Sequence, residues 1–218
     1  MSSPPATPTN HGVIVHLGSA VGSAGLGGKA ASLDRLAKLG HAVPPGLCLT
    51  ADAFRTQLAA VVAGAPAVAA ALAALPDEAA RSELVAAFGA TPTEPELAAA
   101  LANGVARLGA ALAGATSGGL AGEEARFAVR SSALDEDGSL ASFAGLHETE
   151  LGRRPDEVEG AVRRCWASLW SQPAVAYRSR RGLPFDDLAM AVVVQALVPA
   201  DASAVVFTRH PVTGRDDQ

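Results

Sequence analysis

Short strand-like apolar runs lie toward the two ends of this chain, and the segment between them is dominated by alanine. Val13 to Leu17 reads as a strand. Leu33, Leu36 and Leu39 then recur at helical spacing, Gly40 is a natural helix terminator, and Pro44-Pro45 prevents continuation. Leu47 to Leu49 predicts a second strand, and Thr50 is placed to cap a helix starting at Ala51. Leu58 to Leu75 carries no charge, but Gly64 and Pro66 interrupt it, and alanine supplies little transfer energy. Two short soluble helices joined at Gly64-Ala-Pro66 are therefore expected rather than a membrane span. Helices continue to about Gly114, broken near Pro76 and between Gly89 and Pro95. Ala115-Thr-Ser-Gly-Gly119 reads as a hinge.

The pattern becomes mixed beyond that point. Strands are predicted near Phe127 to Ser131 and His147 to Leu151. Pro155 suits a first helical position, and Val158, Val162, Trp166 and Leu169 fall on one face of the helix it would open. A shorter helix around Ala174 to Arg180 follows. Leu188 to Val198 and Ser203 to Thr208 are expected to form an antiparallel strand pair. The order predicts an α+β fold with an alanine-rich helical insert. Its expected divisions are a leader over 1–12, a first lobe over 13–114 and a second over 115–218.

Composition narrows the functional classes. A chain of 218 residues can bury one substantial core or two coupled lobes. The net charge of −5 leaves no broad basic surface for nucleic acid or an acidic membrane. An anionic ligand would need locally placed cations. Of the 17 basic side chains only Lys29 and Lys38 are lysines, which makes a lysine in a glycine loop mildly suggestive of a chemical need. Met1 to Asn10 has neither the charged nor the apolar region of a signal peptide and reads as a disordered leader. Cys48 and Cys165 lack metal-type spacing and read as buried free thiols in a reducing compartment, so a cytoplasmic location is expected.

Two stretches carry candidate chemistry. Arg130 ends an apolar run, and the loop beyond it is built of small residues as far as Ser142-Phe-Ala-Gly145. Such residues let backbone N–H groups approach phosphate oxygens, and a guanidinium binds those oxygens in a bidentate way. Upstream, Gly25-Leu-Gly-Gly-Lys29 leads into the first helix, placing Lys29 in a turn whose dipole favours anions. This is not a P-loop, because Ser23 and Ala30 replace the required glycine and hydroxyl residue. One cation about 4 Å from a phosphate charge contributes roughly 4 kcal/mol at an effective dielectric near 20. Convergent cations, backbone donors and Mg²⁺ together form a credible triphosphate site.

Taken together, these stretches resemble the nucleotide-binding domain shared by phosphoenolpyruvate synthase, pyruvate phosphate dikinase and rifampicin phosphotransferase. The resemblance rests on three ordered blocks. The first comprises Gly27-Gly-Lys29-Ala-Ala-Ser-Leu, Val43-Pro-Pro-Gly46 and Thr50-Ala-Asp-Ala-Phe54. The second comprises Val129-Arg-Ser-Ser-Ala133, Glu136-Asp137, Ser142-Phe-Ala-Gly145 and Glu148-Thr149. The third comprises Val194-Gln195, Leu197-Val198, Ala204-Val-Val-Phe-Thr208 and Pro211-Val-Thr-Gly214. The resemblance implies an ATP-grasp fold, with ATP between two lobes and its phosphoryl group passing to a histidine on a mobile domain. It implies that Lys29 and Arg130 contact phosphates, Gly145 brings loop backbone to them, Thr149 adds a hydroxyl and Gln195 lies near adenine. The implied cofactors are ATP and Mg²⁺, and the implied acceptor is pyruvate or, alternatively, a rifamycin.

Other readings stay open at this level. Arg130 could pair with Asp135, Glu136 or Asp137, and that acidic trio could hold Mg²⁺ or remain a solvated loop. His147 stands where the family pattern usually has glutamine. His210, before a proline turn, is expected to end a hairpin, and Arg163, Arg164, Arg178, Arg180 and Arg181 are expected on solvated helix faces. Trp166 and Trp170, at i, i+4 spacing, are expected in the core. The family pattern continues past Gly214 into a second lobe, a phosphohistidine domain and an acceptor domain. The chain is therefore expected to be a nearly inactive part of a larger phosphotransferase. A non-catalytic nucleotide-binding or docking module is the alternative class.

Overall fold

The computed structural model describes residues 12–19, 22, 24–115, 125–134, 149–207, 209–210, 213 and 215. The expected leader over 1–10, most of the hinge at 116–119, the acidic trio, Ser142 to Gly145 and His147 lie outside the described residues. In chain order the elements begin with β1 (Ile14–His16), α1 (Gly27–Lys38) and β2 (Gly46–Leu49). The alanine-rich insert forms α2 (Ala51–Gly64), α3 (Ala67–Ala74), α4 (Glu78–Ala90) and α5 (Pro95–Ala115). After it come β3 (Phe127–Ala133), β4 (Thr149–Arg153), α6 (Val158–Ala167), α7 (Gln172–Arg181) and β5 (Met190–Ala196).

The strands form one antiparallel sheet in the order β1-β2-β5-β3-β4. The chain is α+β. β5, buried along its whole length, sits between β2 and β3, so strands from both sides of residue 114 share this sheet. Both edges of β5 are thus occupied, which overturns the expected pairing with Ser203 to Thr208. Residues 203–207 form no strand, and Val205 and Val206 are 80% and 86% exposed.

Two layers cover the sheet unequally. Leu47, Leu49, Phe127, Val129, Val192 and Val194 point to the main core, which α2, α4, α5 and α6 close. At its centre Phe54 stacks on Phe88 at 5.8 Å between centroids and meets Trp166 edge-on at 6.1 Å. Trp170 lies 4.7 Å from the Phe88 ring, and the Trp166 indole N–H donates to the Met190 carbonyl at 3.1 Å. Both tryptophans are core residues, as their spacing predicted. On the opposite face Leu26, Ala30, Cys48, Ala191 and Val193 form a smaller cluster beneath α1.

Several local expectations hold and others change. α1 ends as the glycine signal predicted, with Gly40 at φ +83°. Of its leucine row, Leu33 is half-buried against the cluster beneath the helix while Leu36 and Leu39 are 38% and 68% exposed, and Gly28, Ala30 and Asp34 are buried. Small residues let the helix press on the sheet. α2 and α3 are distinct helices bent by 119° at Gly64-Ala-Pro66. Among the described residues α5 is instead the helix long and apolar enough to cross a membrane by length and composition. Leu97, Leu101, Val105 and Leu108 bury one side of it in the core. Thr50 precedes α2, but its hydroxyl makes no cap and lies 3.5 Å from the Gly12 and Val13 carbonyls. Pro155 opens a short 3-10 turn, Pro155–Glu157, ahead of α6.

The arginines expected on solvated faces divide. Arg163 donates to the Gly89 and Thr91 carbonyls at 3.2 and 3.0 Å, satisfying the end of α4. Arg178 is 6% exposed and donates to the Pro184 carbonyl, because the chain after α7 folds back over it. Arg180 and Arg181 are exposed as expected. Replacing Phe54 by Ala, at the junction of four aromatic rings, is expected to cost about 3–5 kcal/mol. The urea midpoint measures this loss, and a shift corresponding to under about 1 kcal/mol would contradict the packing described.

Candidate functional site

The glycine loop before α1 is fastened at two points. The Gly25 carbonyl accepts from Ala51 N–H at 2.8 Å, just past β2. The Ser132 hydroxyl on β3 donates to the Leu26 carbonyl at 2.9 Å and accepts from Ala30 N–H at 3.1 Å. Gly27, at φ +68°, lies so close to β3 that a Cβ would come within 2.7 Å of Ser132 Oγ and of its carbonyl carbon. Only glycine meets both the left-handed backbone and this approach. The first turn of α1 carries no side-chain cap and no acidic residue. Its N–H groups and the helix dipole therefore remain compatible with an anion.

Strand alternation places Arg130 on the same sheet face as Ser132, two positions away. Arg130 is opposite Val193 of β5 and Thr149 of β4, and Val193 belongs to the cluster beneath α1. Gln195, opposite Ala128, lies one row further along that face. From Ser132 through Arg130 to the Gln195 row, the rise is roughly 13 Å. The structure thus assembles the α1 turn bearing Lys29 with Arg130, Thr149 and Gln195 on one side of one sheet. Lys29 and Arg130 are both half-buried, and Thr149 is exposed. The Gln195 amide donates to the Pro44 carbonyl at 2.9 Å, holding the segment that leads into β2. Gly145 is outside the described residues. Ser132, quoted within the second block but given no role by the sequence reading, is the residue that joins the two cationic elements.

Asp34 supports the rear of α1. Its carboxylate accepts from Gly18 N–H at 2.8 Å and pairs with Lys38 at 2.6 Å. Burial, with a smaller contribution from the Asp34 charge, pushes the Cys48 thiol up to about 12. Cys48 therefore remains an inert thiol below α1. His210 Nδ1 accepts from Thr213 N–H at 3.1 Å, but the hairpin it was expected to end is not formed, since residues 203–207 make no strand.

An open cleft of about 1000 Å³ lies elsewhere, between β4 and the start of α6, and shares only Thr149 with the predicted set. Arg164 grips Glu150 through two bonds of 2.6 and 2.8 Å, and Arg153 adds a contact at 3.6 Å. These arginines are already engaged by protein acceptors, so the cleft's volume does not make it the better anion site. The Glu150 carboxyl is held below its ordinary value of 4.5, chiefly by the Arg164 hydrogen bond.

A model of the pyruvate phosphate dikinase AMP/ATP-binding domain matches residues 23–218. The chain belongs to that family. It is 39% identical to a phosphoenolpyruvate synthase of Aeropyrum pernix, with 88% of this chain and 23% of that protein covered. It is 40% identical to a rifampicin phosphotransferase of a Streptomyces species, covering 89% of this chain and 22% of the relative. It is also 40% identical to the prodigiosin synthesizing transferase PigC of Serratia marcescens, over 87% of this chain and 19% of that protein. The chain thus spans about a fifth to a quarter of the length of these relatives. Among the described residues no group of three or more His, Cys, Asp or Glu could hold a metal ion.

Two titrations check this electrostatic picture. Because the folded Glu150 value is depressed, its stabilising contribution is full above 4.5 and is lost as pH falls through the folded value. Arg164→Ala should return the Glu150 titration, followed by NMR, towards 4.5; no movement would remove Arg164 as the cause. Cys48 should resist thiol reagents at pH 8 in the native chain and react only on unfolding. Prompt native labelling of Cys48 would contradict its burial.

Proposed function

We propose that this chain is the ATP-binding part of a dikinase-type phosphotransferase with an ATP-grasp architecture. In this reading the nucleotide lies along the α1 side of the sheet. The observation that carries the reading is the docking of the uncapped α1 turn beside Arg130 on a single sheet face. Membership of an AMP/ATP-binding domain family supports the same ligand.

Residue roles follow from that placement. Lys29, the N–H groups of the α1 turn and Arg130 hold the phosphates, Thr149 adds a hydroxyl and Gly145 supplies loop backbone. Gln195, through the segment it braces, shapes the base end of the track. Mg²⁺ would arrive bound to the phosphates, whose charge it partly neutralises. ATP supplies the phosphoryl group, and in the whole protein a histidine of another domain receives it before an acceptor such as pyruvate does. The name of the Streptomyces relative makes a rifamycin the second acceptor to test.

Calorimetry of this chain with ATP and Mg²⁺ tests the binding reading. Saturable binding is expected, weakened about tenfold by Arg130→Ala, the size of one lost charge-assisted contact. An affinity unchanged by that substitution would remove Arg130 from the site. For the larger reaction, the whole protein should form AMP from ATP in a pyruvate-dependent manner. AMP formation that responds to a rifamycin and not to pyruvate would select the second acceptor.

A further inference from the structure

The cations that the nucleotide reading requires sit on elements a hundred positions apart, and one hydroxyl joins those elements. Ser132 is fully buried, and its Oγ contacts both ends of the first turn of α1, the Leu26 carbonyl and Ala30 N–H. Those two groups are also i and i+4 of the helix, so the hydroxyl inserts into its first hydrogen bond. The hydroxyl therefore adds no new fold element. It fixes where the N-terminus of α1 points relative to β3, on which Arg130 is the adjacent same-face residue.

The surrounding packing singles out this position. Gly27 accepts close contact with Ser132 only because it lacks a Cβ, and Leu26 is 2% exposed in the small cluster. Side chains on either side of Ser132 along the same face are Arg130 and, across the ladder, Ala191 and Val193, neither of which can donate or accept. The serine is thus the polar tie between helix start and strand, in a layer otherwise made of small apolar groups. A tie at that point sets the position of the α1 turn, and with it Lys29, relative to β3.

We infer that Ser132 is a positioning residue for phosphate binding: it locks the anion-facing turn of α1 in register with Arg130. The inference rests on the nucleotide reading above and assigns Ser132 no contact with the ligand. Because Ser132 acts through the α1 turn, its removal should matter for phosphates and not for the base. Its effect should also depend on Lys29 being present.

The test uses the 218-residue chain and three probes, MgATP, inorganic tripolyphosphate and adenosine. Ser132→Ala should fold, since the Leu26 carbonyl and Ala30 N–H, four residues apart at the start of α1, can then bond each other directly, and circular dichroism checks this. It should weaken ATP and tripolyphosphate alike by about tenfold and leave adenosine unchanged. In a Lys29→Ala background the same change should cost less than about threefold. Ser132→Cys, which keeps a weak donor and acceptor, should recover part of the loss, and Gly27→Ala, which pushes α1 off the strand, should reproduce it. Equal losses for all three probes, or equal losses with and without Lys29, overturn the inference in favour of a merely structural serine. Sensitivity to Lys29→Ala and Arg130→Ala with indifference to Ser132→Ala overturns the inference alone. Indifference to all three substitutions overturns the nucleotide reading and the inference with it.

Discussion

Backbone pairing along β5 is the constraint on which the arrangement depends. Among the described strands, the ladder of β1 with β2 and the ladder of β3 with β4 meet only through this strand, the last of them in chain order. Its register, Val192 opposite Leu49 on one side and Ser131 on the other, sets the two halves against each other. Every residue of β5 is buried, so a slip by one position would move Val192 and Val194 out of the aromatic core. The same register places Val193 between the α1 cluster and Arg130. Core packing on one face thereby fixes the relative position of cationic groups on the other.

The two faces of the sheet are built for different purposes. The main core uses large rings and branched side chains, with four helices closing it. The α1 face uses glycine, alanine, serine and a buried cysteine, which bring a helix start close to a strand. Thin packing of this kind contributes little apolar burial but lets the helix start approach the strand closely.

Much of the fold was legible in the sequence, and the failures have physical causes. Gly40, Pro44 and Pro66 punctuate strongly because their backbones exclude alternatives, so helix ends were read closely. The leucine spacing of α1 reports the helix but not which side of it meets the sheet. The buried face is the one with small residues. An apolar run at 203–207 resembled a strand, yet pairing depends on a free sheet edge, which no local pattern records. Arg163 and Arg178 looked like surface charges, since the backbone carbonyls that accept from them lie outside their own helices and are invisible in a helical wheel. Lys29, Arg130, Thr149 and Gln195 lie on one side of the sheet, a placement that only the assembled ladder reveals. Ser132 was passed over because a hydroxyl in a strand carries no signal of its own. A Gly-Gly pair before a helix and a doubled serine in a buried strand together hint at such a junction.

β4 ends the sheet among the described strands, and its composition bears on how the molecule behaves at high concentration. Glu150 and Arg153 lie on that strand with Arg164 clamped across Glu150, and Gly152 takes a left-handed backbone at φ +70°. A flat run of unpaired amides would recruit strands from neighbouring molecules. Charge and a kink in the ribbon make such recruitment costly, so the outermost strand acts as a guard against sheet-to-sheet polymerisation.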